Sequence, residues 1–250
     1  MSAIGVCSGK GSPGATFVSV NLAAALARAG EEVLCIDLDP AAGDLAAYLG
    51  LDPRRGLHPL VRMHSGTVET AALMREAQER AGFEALAGFS APLPSATDSI
   101  PSFLLLRAIA SERLVVADLG RVDPEHSKVA REAALVFVVV RPDLVSVLGA
   151  ERAIQCLEQT GIARERIVAV VSGAERRRPA DVAEVAEAIG VPIAGTIPLC
   201  RKPARSAMTS QTPIAKGKAA KAFASLAEVA SERVKELESV PDAVREAAAV

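Results

Sequence analysis

The sequence predicts an α/β fold of three layers, a mostly parallel central sheet with helices on both faces. Three observations carry this. Short, continuous runs of Val, Ile, Leu and Ala alternate with segments of helical periodicity along the chain. Half of the 250 residues are hydrophobic, enough to bury a large core, and aromatics are only 3% with no Trp, so small aliphatics must fill it. The polar and Gly-rich segments gather after the strands, where open α/β sheets bind their ligands. No repeat and no break argues for a second domain, so one domain is expected over 1–250, with a flexible tail from about 236 to 250.

The elements follow in order. "AIGVCS" (3–8) predicts the first strand, and a Gly-rich loop leads to the helical spacing of "FVSVNLAAALARAG" (17–30), capped at Gly30. "EVLCIDLD" (32–39) reads as a strand, "LAAYLG" (45–50) as a helical piece, "TVETAALMREAQERAG" (67–82) as a helix and "FEALAGF" (83–89) as a short strand. "SAPLPSATDSIPS" (90–102) is a Pro/Ser-rich surface loop. "FLLLRAIA" (103–110) predicts a helix and "RLVVADLG" (113–120) a strand; "LVFVVV" (135–140) is another strand. Helix "SVLGAERAIQCLEQTG" (146–161), strand "RIVAVVSG" (166–173), helix "PADVAEVAEAIG" (179–190) and strand "PIAGTIP" (192–198) follow. "KAAKAFASLAEVASERVKELES" (218–239) is a long final helix.

The formal charge of −2 speaks against a dedicated nucleic-acid binder. Cys7, Cys35, Cys156 and Cys200 are far apart without metal-ligand spacing, which predicts reduced thiols in a cytoplasmic protein. No apolar stretch reaches the roughly 20 residues of a membrane span, and the first residues lack a signal-peptide pattern.

"GKGSPGAT" (9–16) joins the first strand to the first helix. A strand, a Gly-rich turn and a helix N-terminus present several backbone N–H groups to one point, with partial positive charge from the helix dipole. That suits a phosphate. Gly9 and Gly14 match the glycines of G-x-x-x-x-G-K-[ST], and Thr16 matches the hydroxyl that meets magnesium, but Ala15 stands where the lysine belongs. Lys10 stands instead near the start of the loop.

Asp37 and Asp39 end one apolar strand and Asp118 another, where carboxylates would face that loop. Magnesium takes oxygen ligands and keeps several waters, which makes Thr16 and Asp37 candidate metal residues; "RLVVADLG" resembles a Walker B strand, whose terminal acid holds magnesium, and that resemblance adds Asp118. Asp39 is placed to position a water on the metal or an attacking water.

In order and context, these segments resemble the ParA/MinD ATPases, which carry the deviant loop K-G-G-x-G-K-[ST]. Lys10 matches the early lysine that in that family reaches across a dimer interface to the partner's nucleotide, and Ser12 replaces the second glycine. The resemblance runs from Ile4 to about Ala230 and implies a P-loop NTPase fold, ATP and Mg2+ as ligands, and a homodimer closed on the nucleotide. It places Lys10, Gly11, Ser12, Pro13, Gly14, Ala15, Thr16 and Phe17 against the phosphates. It gives Lys10 and Asp39 the catalytic roles. Ser172 stands where family members have an adenine-reading Asn, and Pro198, Leu199 and Arg201 fall on the segment beside the base. "GDLAAYLGL" is most like the CpaE/TadZ branch, which implies localising a Flp/Tad pilus assembly, with the membrane reached only through partners.

Losing the P-loop lysine removes charge stabilisation that matters most as the bond breaks. Binding with weak or absent hydrolysis is therefore expected. Two alternatives remain open. A partition ATPase acting on DNA would use Arg176 to Arg178 or Lys216, Lys218 and Lys221, and a septum-site regulator would need a basic amphipathic tail. A metabolic ligase on this fold would need the missing lysine. His58, His64 and His126 read as surface residues, and Tyr48 and the phenylalanines as packing.

Overall fold

The structure is a computed structural model that describes residues 3–11, 13–39, 43–57, 70–88, 106, 110, 113–122, 127–174, 180–199 and 214–239. Eight strands form one sheet: β1 (Ala3–Ser8), β2 (Val33–Asp37), β3 (Gln78–Arg80), β4 (Phe83–Leu86), β5 (Leu114–Arg121), β6 (Leu135–Val140), β7 (Ile167–Ala174) and β8 (Ile193–Pro198). Their order across the sheet is β3-β4-β2-β5-β1-β6-β7-β8. Every pairing is parallel except β3 with β4. The helices are α1 (Ala15–Arg28), α2 (Leu45–Leu49), α3 (Thr70–Glu76), α4 (Ser127–Ala130), α5 (Leu144–Gln159), α6 (Ala180–Ile189) and α7 (Lys218–Glu238). Leu106 and Ala110, in the segment expected to be helical, are helical.

The alternating side chains of each strand divide the core in two, which is the three-layer architecture the sequence predicts. Ile4, Val6, Val33, Cys35, Phe137 and Val170 pack with α1, α2 and α7. Cys7, Leu34, Ile36, Val138 and Val171 pack on the other face with α3, α5 and α6. Because both faces are covered, the inner strands β1, β2, β5 and β6 are apolar at nearly every position rather than at alternate ones, unlike the edge strand β3.

Helix α1 ends as its sequence predicts. Gly30 takes φ +97°, its N–H donates to Ala27 O, and the Glu31 N–H donates to Leu26 O, the two bonds of a Schellman cap. The helix read over 67–82 is corrected in its second half. α3 stops at Glu76, and Gln78–Arg80 forms β3, antiparallel to β4 at the sheet edge. Ala81 and Gly82, at φ +54° and +88°, make a two-residue hairpin turn of the kind that matches strand twist, and tertiary pairing overrides the local helical spacing. The C-terminal helix runs to Glu238; residues 240–250 of the expected tail lie outside the described residues.

Among the described residues no helix is long and apolar enough to cross a membrane. Cys7, Cys35 and Cys156 are free thiols; burial pushes the Cys7 and Cys35 thiols up, so both are inert packing groups. Cys200, the three histidines and Arg176 to Arg178 lie outside the described residues. Tyr48 is half-buried on α2.

Candidate functional site

The central strand β1 lies between β5 and β6, so the chain leaves its carboxyl end at the point where the sheet order reverses. This is the crevice in which open α/β sheets hold ligands. The loop Gly9–Gly14 starts there. Ser8 pins its base: the Ser8 hydroxyl donates to Lys10 O at 2.9 Å and lies 3.3 Å from Gly120 O. Gly14, at φ +103°, turns the chain into α1 in a left-handed conformation that glycine adopts without strain. No side chain caps the helix at that end and its first turn holds no acid, so the first N–H groups face outward into the crevice.

On its outer side the loop is clamped to α5. A Cβ built on Gly9 would stand 1.7 Å from Gly149 O, so only glycine fits there. Gly11 is exposed, and Pro13 is buried. Ala15 is buried in the α1-side core, 7% exposed. Phe17 packs edge-to-face on Phe223 of α7, ring centroids 5.6 Å apart, so its ring is a packing group as expected and only its main chain belongs to the first turn of α1.

The acidic residues converge beneath the loop. Asp37 and Asp118 are paired positions on β2 and β5, both buried. Thr16 donates its hydroxyl to the Asp118 carboxylate, which also accepts from the Gly120 N–H at 3.3 Å. Asp37 accepts from Asp39 N at 3.1 Å and from Leu45 N at 3.0 Å, so both its oxygens hold the turn between β2 and α2. The Asp39 carboxylate lies over Gly120, where a Cβ would stand 2.0 Å from Oδ2. Burial raises Asp118 above the usual carboxylate range, with smaller contributions from Asp39 and Asp44, against the lowering bonds from Thr16 and Gly120. Burial also raises Asp37, and the neighbouring Asp118 adds to it.

This donor set fits a magnesium ion held through few protein ligands. Among the described residues no three acidic, His or Cys groups form a ready-made metal cage. One hydroxyl and one buried carboxylate beside a phosphate cradle suit a cation that completes its shell with phosphate oxygens and water. Thr16 and Asp118 are the pair in contact. Asp37 also holds the backbone turn after β2, a role its position at a strand end did not reveal.

Ser172, Pro198 and Leu199 lie at the carboxyl ends of the neighbouring strands β7 and β8. Ser172 is buried at the end of β7, its Oγ 3.5 Å from where a Cβ on Gly14 would stand. Pro198 ends β8, and Leu199 follows, 42% exposed, donating its N–H to Ala174 O. Ser12 and Arg201 lie outside the described residues. Sequence reading missed Arg141, which is exposed at the end of β6 with its guanidinium 3.6–3.8 Å from the Cβ position of Gly173. Only the alignment of β6 with β7 brings it to this edge.

Comparison with known proteins agrees with this geometry. A MinD-type septum site-determining protein of Emiliania huxleyi is 26% identical over 202 residues, 77% of this chain and 72% of that protein. A ParA family ATPase from Chlorobium tepidum superposes with a TM-score of 0.78 at 21% identity, covering 90% of this chain and 98% of that one. The septum site-determining protein MinD of Pyrococcus horikoshii, complexed with Mg-ADP, superposes with a TM-score of 0.75 at 19% identity, over 95% and 99% of the two chains. The profile of the CobQ/CobB/MinD/ParA nucleotide binding domain matches residues 4–214, and the chain belongs to that family.

Proposed function

We propose that the protein binds ATP with Mg2+ and acts as a nucleotide-gated homodimer that hydrolyses ATP weakly or not at all. The observation that carries this is the open N-terminus of α1 above the Thr16–Asp118 contact: uncapped N–H groups for phosphate and a hydroxyl–carboxylate pair for the metal, at one point. Gly11, Ser12, Pro13 and Gly14 carry the backbone that would line the triphosphate. Ser172, Pro198 and Leu199 are the residues that would lie beside the base, with Arg201 following them in the sequence. When bound, magnesium neutralises charge on the phosphates. Asp39, beside Gly120, is the group to orient water.

Ala15 supplies no charge to the reacting phosphates. Such a contact contributes roughly a hundredfold or more in rate when present, so turnover is slow while ground-state binding persists. Lys10 is the cation left on the loop, and its stem lies against α5, 3.2 Å from the Cβ position of Gly149. Beside it the first turns of α5 expose Leu144 (73%), Val145 (61%) and Leu148 (42%). An exposed apolar patch on the rim of a nucleotide site suits a surface that a second copy covers, with Lys10 reaching the partner's nucleotide. ATP then drives assembly by its preference for the dimer.

The dimer would recruit a partner assembly. The "GDLAAYLGL" segment favours the Flp/Tad pilus reading, in which the protein marks a cell pole or site from the cytoplasmic side. A second reading, septum-site or partition activity on membrane or DNA, draws on the relatives and on Lys216, Lys218 and Lys221, all exposed at the start of α7. Sedimentation with and without ATP and magnesium tests the common core. The wild type is expected to dimerise only with both, and Lys10→Ala to stay monomeric; no nucleotide binding by calorimetry would overturn it. A salt-dependent DNA shift would favour partition.

A further inference from the structure

We propose that Arg141 holds the phosphate tail of the bound nucleotide, in place of the lysine that Ala15 displaces. This rests on the nucleotide reading above and adds to it a residue that neither the motif nor its spacing points to.

The stem of Arg141 is fixed. It leaves β6 into a tight turn locked by three hydrogen bonds: Asp143 N to Arg141 O at 2.8 Å, Ser146 N to Asp143 Oδ1 at 2.9 Å, and Arg141 N to Ser146 Oγ at 2.9 Å. Asp143 is thereby the N-cap of α5, so the turn and the helix move as one body. That helix is itself seated on the loop through Gly149 against Gly9 and Lys10. Arg141 is therefore anchored to the phosphate loop from one side.

Its head lies beside the end of β7. Nη2, Cζ and Nε lie 3.6, 3.7 and 3.8 Å from the Cβ position of Gly173. The residue before it, Ser172, places Oγ 3.5 Å from the Cβ position of Gly14, the residue that starts α1. Consecutive residues of β7, Ser172 and Gly173, thus have the start of α1 and the guanidinium as neighbours. Gly173 itself takes φ +75°, a conformation that favours glycine.

The charge is available. Arg141 makes no ion pair with an acid among the described residues, and the residue is exposed. The acids of the site sit instead on β2, β5 and the turn after β2, on the opposite side of β1 from β6. A guanidinium presents a planar fork that meets two phosphate oxygens at once, and it stays charged at any pH the protein tolerates. It can thus supply ground-state attraction to the phosphates without standing at the first helical residue, where the usual lysine reaches the bond being broken.

The experiment is calorimetric titration of the wild type, Arg141→Ala and Arg141→Lys with adenosine, ADP and ATP, with magnesium present. Arg141→Ala is expected to weaken ADP and ATP at least tenfold and leave adenosine unchanged. Arg141→Lys should recover part of the loss, and the double variant Ala15→Lys with Arg141→Ala should recover affinity by restoring a cation at the usual place. Equal weakening of adenosine and ATP, or unchanged ATP affinity, would overturn the proposal while leaving nucleotide binding intact. A lowered melting midpoint for Arg141→Ala without nucleotide would assign the residue to the fold and also overturn it. A wild type that binds none of the three ligands would overturn both readings.

Discussion

Gly9 and Gly149 meet backbone to backbone, with no room for a side chain on the first: a Cβ on Gly9 would lie 1.7 Å from Gly149 O and 2.2 Å from its carbonyl carbon. The contact joins the loop after β1 to the second turn of α5, elements far apart in sequence.

Gly9→Ala is therefore expected to force the loop off α5 and to destabilise the protein by about 2–3 kcal/mol, with nucleotide binding lost alongside. Gly149→Ala meets the Lys10 Cβ at 3.2 Å and the Gly9 carbonyl group at 3.3 Å, tight contacts that a shift of a few tenths of an ångström relieves, and should be milder. Urea unfolding of the two variants checks the asymmetry; equal effects would contradict the one-sided clearance.

Asn21, buried in α1, uses both ends of its amide. Its Nδ2 donates to Phe17 O at 2.9 Å, and its Oδ1 accepts from Ala215 N at 2.6 Å, tying the phosphate-loop helix to the chain just before α7. Asn21→Ala leaves the Ala215 N–H without that acceptor, at a cost of about 1–3 kcal/mol. Hydrogen exchange should show the Ala215 amide losing protection before the sheet does.

The carboxyls raised by burial make stability fall with pH. Asp118 and Asp37 keep protons in the folded state over a range in which the unfolded chain has released them. The folded state binds more protons there, so stability declines as pH rises from about 4, the ordinary carboxylate range, toward neutrality. Asp118→Asn should flatten this decline and raise the urea midpoint near neutral pH, with the two proteins converging in acid. A wild-type midpoint that climbs with pH over that range would refute the assignment.

Ala15→Lys should raise ATP turnover, roughly a hundredfold by the usual value of one phosphate contact. Because Ala15 is 7% exposed, the same change should lower the melting midpoint of the nucleotide-free protein. Phosphate release and thermal melts measure the two effects. Unchanged turnover would mean that hydrolysis is limited elsewhere.

Much of this was legible in one dimension. The strands Ala3–Ser8, Leu114–Arg121 and Leu135–Val140 are apolar runs too short for helices and too continuous for exposed strands, so their burial on two faces follows from composition. The Schellman cap at Gly30 and the loop ending at Gly14 are set by local backbone preference. The hairpin at Ala81–Gly82 was not legible, because Gln78–Arg80 continues a helical pattern until β4 offers it an edge to pair with.

The sequence by itself determined the alternation of elements, the placing of a phosphate loop between the first strand and helix, and the substitution of Ala15, since these depend on neighbouring residues and short-range sterics. Only the tertiary structure decided what the site brings together: Gly149 at the back of the loop, Thr16 bonded to Asp118 beneath it, and Arg141 beside Gly173 at the end of β7. The contacts with Gly149 and Asp118 join residues more than a hundred positions apart, and Arg141 reaches Gly173 only through the pairing of β6 with β7, so no local pattern encodes them.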